Sequence, residues 1–445
     1  ETTGKWGDPV AMGKVAGKVS SARAVDINGD GKLCLFIASD GGDKLFQFKD
    51  GKSEDITAAR KLTAKSQSVV WADFNFDGKL DLLSFDGKGL SLHTQQADGT
   101  FASSPLDAGD ALKGGCTELV IAPNTKEGRQ VIIVTAAGPL SLIISKDSKA
   151  VAKPLIEGEF PGKDLGAADK CFVADLDGDA VADMLQVFAG GSLFYKGKAD
   201  GLFAVPVKSQ IVAGKGRAAV CMGDYDGDGL LDVFTTAEDG NKMWQNLGGG
   251  KFAESLNWCG ELTYISKPGG IYTAMCDINN DGRQGILITY DNMSPQIFFN
   301  RGFRSFGHSH TFELVDVKLA SGVEVSAGQQ TACIADFKGN GLQDTVLVLK
   351  DGSVCYLPYE SAKEGVVAVT IALPPNSPNE PVLVTVKNAK RSFGAFNVTA
   401  AQPAFVGLPA AGAITVTWTL PGQKPQSKEV EAMDTPVRFV IGEGK

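Results

Sequence analysis

Asp224-Tyr-Asp-Gly-Asp-Gly-Leu-Leu-Asp232 crowds four carboxylates and two glycines into nine residues, then runs directly into the apolar Val233-Phe234. Five further stretches share that pattern. They are Asp26-Ile-Asn-Gly-Asp-Gly-Lys-Leu-Cys34, Asp73-Phe-Asn-Phe-Asp-Gly-Lys-Leu-Asp81, Asp175-Leu-Asp-Gly-Asp-Ala-Val-Ala-Asp183, Asp277-Ile-Asn-Asn-Asp-Gly-Arg-Gln-Gly285 and Asp336-Phe-Lys-Gly-Asn-Gly-Leu-Gln-Asp344. Their first residues recur about every fifty positions, with one gap of about twice that length. Inside the gap, Val120–Val134 carries Pro123-Asn-Thr-Lys-Glu-Gly where the acidic loop would stand. The chain therefore holds seven repeats, six legible and one worn.

Every repeat shares one strand grammar. Short apolar stretches flank the acidic loop, as in Ser68–Ala72 and Leu82–Ser84, and an alternating strand such as Gly89-Leu-Ser-Leu-His93 follows a Gly turn. A hairpin closes the unit, as in Gln245-Asn-Leu-Gly-Gly-Gly-Lys-Phe252 or Asn300-Arg-Gly-Phe-Arg-Ser-Phe306. Four short antiparallel strands per repeat is the spacing of a propeller blade, and helical periodicity is missing. Trp6–Lys18 aligns with Phe203–Lys215, an outer strand running into the next repeat. The N-terminal segment is thus an outer strand with no blade before it. It is predicted to pair near Asp351–Tyr359 and close the ring, which removes an aggregation-prone edge.

From about Lys363 the acidic loops vanish and β-branched alternation takes over, in Val366–Leu373, Val382–Val386, Ile414–Leu420 and Val437–Ile441. The expected fold class is all-β: a seven-bladed β-propeller over residues 1–360, followed by a small β-sandwich over 363–445.

Composition bounds the function. The chain has 445 residues, more than one hydrophobic core usually serves, and its 43% hydrophobic content argues for a folded protein. With 43 Lys+Arg against 52 Asp+Glu the net charge is −9, which disfavours nucleic acid and anionic membranes as partners. No apolar run is long enough to span a bilayer as a helix. The chain opens on Glu1 rather than Met, which fits a processed secreted chain or a trimmed one.

Aspartate or asparagine at loop positions 1, 3, 5 and 9, with Gly at 6, gathers hard oxygens around one small volume. Ca²⁺ takes about six to eight such ligands, and the Gly allows a sharp turn. An EF-hand is excluded because position 12 is Ser84, Gln186 or Thr235 rather than Glu, and strands flank the loop. Three sets are complete: Asp73, Asn75, Asp77 and Asp81; Asp175, Asp177, Asp179 and Asp183; Asp224, Asp226, Asp228 and Asp232. Ala180 replaces the turn Gly in the second of these, at a steric cost. Asp26, Asn28 and Asp30 are followed by Cys34, and Asp277, Asn279 and Asp281 by Gly285, so these loops lose a carboxylate and are expected to bind more weakly. Lys338 at position 3 of the last loop stands where a metal would. Three good Ca²⁺ sites, two weaker ones and none in repeats three and seven are expected, with a structural role.

These repeats resemble the FG-GAP/VCBS family, found in integrin α-subunit propellers, fungal lectins and bacterial surface proteins. The resemblance implies a seven-bladed propeller with calcium in the loops of one face, and no single activity. Phe405-Val-Gly-Leu-Pro with Ile414-Thr-Val-Thr-Trp-Thr-Leu-Pro-Gly-Gln-Lys is similar to the ASPIC/UnbV segment that follows such repeats in some secreted bacterial proteins.

The pattern offers no catalytic motif: no Gly-x-Ser-x-Gly, His-Glu-x-x-His or Walker run, and no CxxC pair among eight Cys. The Cys residues read as small buried hydrophobes, with Cys259–Cys276 the one disulfide pairing considered. His308-Ser-His310 reads as polar loop, and the five Trp as blade packing. Of the turns on the face opposite the acidic loops, Tyr290-Asp-Asn-Met-Ser-Pro-Gln296 is the longest and alone holds an aromatic. Tyr290 and Asn292 are therefore the candidate ligand contacts. The first reading is a secreted or surface-associated, extracellular or periplasmic protein that binds a glycan or protein partner. A polysaccharide-acting enzyme such as a lyase, and a scaffold subunit of an extracytoplasmic complex, are the alternatives.

Overall fold

The computed structural model describes residues 4–49, 51–302, 305–311, 327–361, 366–377 and 380–442. Seven four-stranded antiparallel sheets follow one another through the repeats, six of them meanders of consecutive strands and the seventh completed by a strand from near the N-terminus. Blade five is representative. Its strands are Ala219–Gly223, Asp232–Ala237, Gly240–Asn246 and Phe252–Glu254, with the acidic loop joining the first two. The second strand is buried along its whole length because neighbouring blades cover both its faces.

Seven hydrophobic clusters join the blades in sequence and then join the last to the first. Val25 and Phe36 of blade one meet Trp71 and Phe101 of blade two, and five further clusters link blades two through seven. Cys333, Val346 and Tyr356 of blade seven then pack on Leu35 and Phe46 of blade one. The ring closes. It is an all-β propeller.

The fourth strand of blade seven comes from the opposite end of the chain. Val10–Lys14 pairs antiparallel with Ser353–Leu357, with Val10 opposite Tyr356, and Gly4–Trp6 pairs with Tyr359–Ser361. The Trp6 ring meets Tyr359 edge-on, with centroids 4.9 Å apart. The worn third repeat makes a tight turn between Glu118–Thr125 and Gly128–Val134 in place of the acidic loop.

Seven further strands form the C-terminal sandwich. Val367–Ala372 lies between Ala404–Leu408 and Val437–Val440 in one sheet. Ser392–Val398, Val382–Lys387, Gly412–Trp418 and Gln426–Ala432 make the other. Val369, Val384, Val406 and Val416 fill the space between them. Helix is limited to short pieces, of which Glu261–Ile265 is the one α-helical turn among the described residues. Among the described residues no helix is long and apolar enough to cross a membrane.

Because the ring depends on strands from both chain ends, loosening the N-terminal strand should open blade seven. Trp6→Ala is expected to lower stability by about 2 kcal/mol in chemical denaturation. Deleting residues 1–14 should cause concentration-dependent association through the bared Ser353–Leu357 edge, read by light scattering.

Candidate metal centre

All six acidic loops are wound by the same hydrogen bonds. The position-6 N–H donates to Oδ2 of the position-1 aspartate in every one, at 2.7–3.0 Å. The position-5 side chain accepts the N–H of position 7, again in all six. These bonds require left-handed backbone at position 6, and Ala180 adopts it at φ 67°, with the cost an L-residue carries there. Position 4 is left-handed as well, including Phe76 at φ 62° and Asn280 at φ 49°. The glycines at position 4 in the other four loops were the available signal for that second constraint.

The position-9 aspartate has a role the sequence reading missed. Asp81, Asp183, Asp232 and Asp344 are fully buried. Each accepts, through Oδ1, an N–H from the end of the third strand: Gln95, Gly197, Asn246 and Tyr359 respectively, at 2.8–2.9 Å. In the first three, Oδ2 also accepts the position-2 N–H. Position 9 clasps the loop to its own blade, and it does so in blade seven even where position 3 is Lys338.

Two loops bring three carboxylates together with oxygens within 4.8 Å of one another: Asp175, Asp177 and Asp183, and Asp224, Asp226 and Asp232. Among the described residues no other group of His, Cys, Asp or Glu does so. Burial raises Asp224 to about 7 and Asp232 to about 8, with the neighbouring Asp226 carboxylate adding to both. No Lys or Arg pairs with Asp224 or Asp232 among the described residues. This is a hard-oxygen set whose charge a divalent cation would relieve. In the blade-four set, Lys196 reaches both Asp177 and Asp179, the latter at 2.8 Å. Its blade-five counterpart is the neutral Gln245, whose Nε2 lies 2.8 Å from Asp226.

The remaining loops carry other neutralising groups. Arg129, from the worn third blade, donates to the Asp73 carbonyl at 2.8 Å, approaches Asp73 Oδ2 at 3.8 Å and covers Phe76. Lys79 pairs with Asp77 at 3.2 Å, while Asn75 accepts the Asp77 N–H. Asp73, Asp77 and Asp81 do not form a convergent triad of this kind. Asp26 pairs with Arg438 at 2.9 Å, and Asn28 and Asp30 are exposed. Asp281 pairs with Arg283 at 3.2 Å beside a half-buried Asn279. Lys338 Nζ lies 2.9 Å from Asp344 Oδ1.

The C-terminal sandwich sits on this loop face. Ala395 N–H donates to Asp224 Oδ2 and Gly407 N–H to Asp277 Oδ2, each at 2.9 Å. Gln284 Nε2 donates to the Ala395 carbonyl and Asn397 Nδ2 to that of Val173. A Cβ on Gly407 would lie 2.5 Å from both Asn280 Cα and Asp277 Oδ2, so only glycine allows that approach.

The predicted ligand contacts require correction. Tyr290 is 1% exposed, and its hydroxyl points to Gln296 Oε1 at 2.7 Å and the Lys267 carbonyl at 3.0 Å. It anchors its turn from inside, because a phenol next to two acceptors in an apolar cluster gains by burial. Asn292 is exposed on the same turn. Trp258, expected in blade packing, is instead 76% exposed, and Tyr264 nearby in sequence is 81% exposed. Cys259 and Cys276 are buried free thiols, as are five others, and Cys116 is a free thiol at intermediate exposure. The side chains of His308 and His310 lie outside the described residues.

The family described as FG-GAP-like repeat matches residues 26–84 and 224–284. The chain carries FG-GAP-like repeats. It is 28% identical over 152 residues to integrin alpha-4 of Xenopus laevis, an alignment covering 31% of this chain and 15% of the integrin. The chain thus spans a small part of that relative's length. Among solved structures, a lectin of Agrocybe aegerita that recognises non-reducing terminal N-acetylglucosamine is 17% identical, with a TM-score of 0.49 over 78% of this chain and 86% of the lectin. BBS1N in complex with ARL6DN is 10% identical, with a TM-score of 0.49 over 82% of this chain and 99% of BBS1N.

Two predictions follow from the FG-GAP-like loops. Asp224 and Asp232 titrate near 7–8 when folded, well above the unfolded carboxylate value of 3.8. The folded chain then holds more protons than the unfolded one across that window, so metal-free stability falls as pH rises from about 4 to about 8. Melting in EGTA should be higher at about pH 5 than at about pH 8, and added Ca²⁺ should raise the melt most at the upper end. Asp232→Asn should flatten this profile. Separately, Lys196→Ala should tighten Ca²⁺ binding to the blade-four loop about fivefold by calorimetry, since removing one ammonium relieves about 1 kcal/mol of repulsion.

Proposed function

We propose that this protein is a calcium-stiffened recognition module, with a propeller over residues 1–360 and a sandwich over 363–445, acting outside the cytoplasm on a glycan or protein partner. The observation that carries the reading is the Asp224, Asp226 and Asp232 triad, which lies within the second FG-GAP-like match. Ca²⁺ suits it because all the ligands on offer are carboxylate oxygens in a turn with adjustable backbone. Asp224, Asp226, Asp228 and Asp232 form the first site, and Asp175, Asp177, Asp179 and Asp183 a second in competition with Lys196. The loops at Asp73 and Asp26 are weaker sites, since guanidinium groups already serve them, and the loop at Asp277 lacks the position-9 carboxylate.

The integrin likeness supports adhesion or recognition as the class of activity. Two strongly exposed aromatics, Trp258 and Tyr264, supply flat apolar surface on a short helical insertion between blades five and six. Exposed Trp and Tyr are the side chains most able to anchor a partner. Asn292 remains available on its turn.

The test is retention of the purified chain on a panel of immobilised polysaccharides and glycoproteins, in Ca²⁺ and in EGTA. Retention that requires Ca²⁺, releases no new sugar ends and is lost in Trp258→Ala with Tyr264→Ala is the expected result. New reducing or unsaturated ends would instead assign the protein to the enzymes. Retention indifferent to EGTA would remove calcium from the function.

A further inference from the structure

A second feature lies away from the exposed aromatics and from the blade-four and blade-five carboxylate triads. A cavity of about 1040 Å³ opens between the sandwich and the inner strands of blades five, six, seven and one. Its size falls at the upper end of sites that enclose a small organic ligand. The first strands Val19–Val25, Tyr272–Cys276 and Gln329–Ala335 build its wall, and Phe396 and Phe405 of the sandwich face it.

The charged groups around the cavity are unequal. Arg438 is paired with Asp26, Arg283 with Asp281, and Lys338 with Asp344. Asp277 and Asp336 turn their oxygens to the N–H groups of their own loops. Arg23, at the middle of the first strand of blade one, has neither an ion pair nor a hydrogen bond among the described residues. A guanidinium keeps its charge at any accessible pH, and in a half-buried position it demands an anion or water. The Tyr272 hydroxyl likewise has no described hydrogen-bond partner. Arg23, Tyr272 and Cys333, from blades one, six and seven, line the same cavity.

Three of the amides lining the cavity are already committed. Gln284 bonds the Asp224 N–H and the Ala395 carbonyl, Gln343 the Asp277 N–H, and Asn397 the Val173 carbonyl. What is left is the half-buried Arg23, the Tyr272 phenol and walls of Met222, Ala274, Met275 and Ile334, with Lys32 and Lys49 lining the cavity as exposed ammonium groups. Inorganic phosphate would leave the apolar wall uncovered.

We propose that this cavity binds a small organic acid with an apolar or aromatic body, its carboxylate held by the Arg23 guanidinium and the Tyr272 hydroxyl, and its body against Met222, Met275 and Phe396. Both polar groups project from inner β-strands, which hold geometry better than loops do.

The probes are 2-naphthoate and its neutral isostere 2-naphthamide, titrated into the full-length protein by calorimetry in Ca²⁺. One saturable naphthoate site is expected, with the amide at least about tenfold weaker. Arg23→Gln should weaken naphthoate about tenfold or more and leave the amide unchanged, while Arg23→Lys keeps part of the affinity. Tyr272→Phe should cost a smaller factor. Equal binding of acid and amide by the parent protein, or no saturable binding of the acid at up to about 10 mM, overturns the proposal. So does an Arg23→Gln variant that melts like the parent and binds naphthoate as well. The acid–amide comparison uses the unmodified chain and decides the matter even where a variant does not fold. Retention on glycans is a separate readout and is not expected to move with Arg23.

Discussion

The bond from the position-6 N–H to Oδ2 of the first aspartate recurs in six blades, and much else is arranged around it. It turns the chain at the start of the second strand. It also draws that carboxylate into the protein, since Asp26, Asp73, Asp175, Asp224 and Asp277 are all buried. A buried carboxylate near other carboxylates is costly unless something compensates it. The loops differ mainly in what does so.

Several compensations are visible. A guanidinium from the neighbouring blade serves Asp73, one from the sandwich serves Asp26, and ammonium groups serve Asp177 and Asp344. Asp277 receives a backbone N–H from Gly407 and has no basic ion-pair partner among the described residues. Blade five has only neutral donors on Asp224 and Asp232: the N–H groups of Gly227, Asp228, Gly229 and Ala395 on the first, and of Tyr225 and Asn246 on the second. The degree to which each loop calls for a metal follows from this inventory rather than from its count of aspartates.

That inventory is where the sequence stopped being informative. The ring could be read in advance because the acidic loop, the apolar second strand and the Asn-Gly-Phe hairpin repeat with a fixed period, and each has a local cause. Asn246 and Asn300, for example, donate to the Leu176 and Tyr225 carbonyls of the preceding blade's loop, which explains the hairpin asparagine. Partners supplied from elsewhere in the chain left no such period. Arg129 is 56 residues from Asp73 and Arg438 is 412 from Asp26. Nor did the spelling of Tyr290 or Trp258 reveal which would be covered, because burial of one side chain on a turn depends on what packs over it. Tyr290 found two acceptors and an apolar cluster. Trp258 lies on an insertion that extends beyond the blade.

The same carboxylates connect the metal loops to the sandwich. Asp224 Oδ2 accepts both Gly229 N–H, from within its loop, and Ala395 N–H, from the sandwich, while the carboxylate remains part of the blade-five triad. A cation there would hold Asp224 ionised, and an ionised carboxylate is the stronger acceptor for both donors. Protonation would weaken the two together. Metal occupancy and seating of the sandwich are therefore not independent: whatever fixes the charge on Asp224 also strengthens the contact that roofs the Arg23 cavity, since Phe396, the next residue after Ala395, lines that cavity. The loop face is thus at once the means of ordering a turn, a place for a cation and the seat of the second domain.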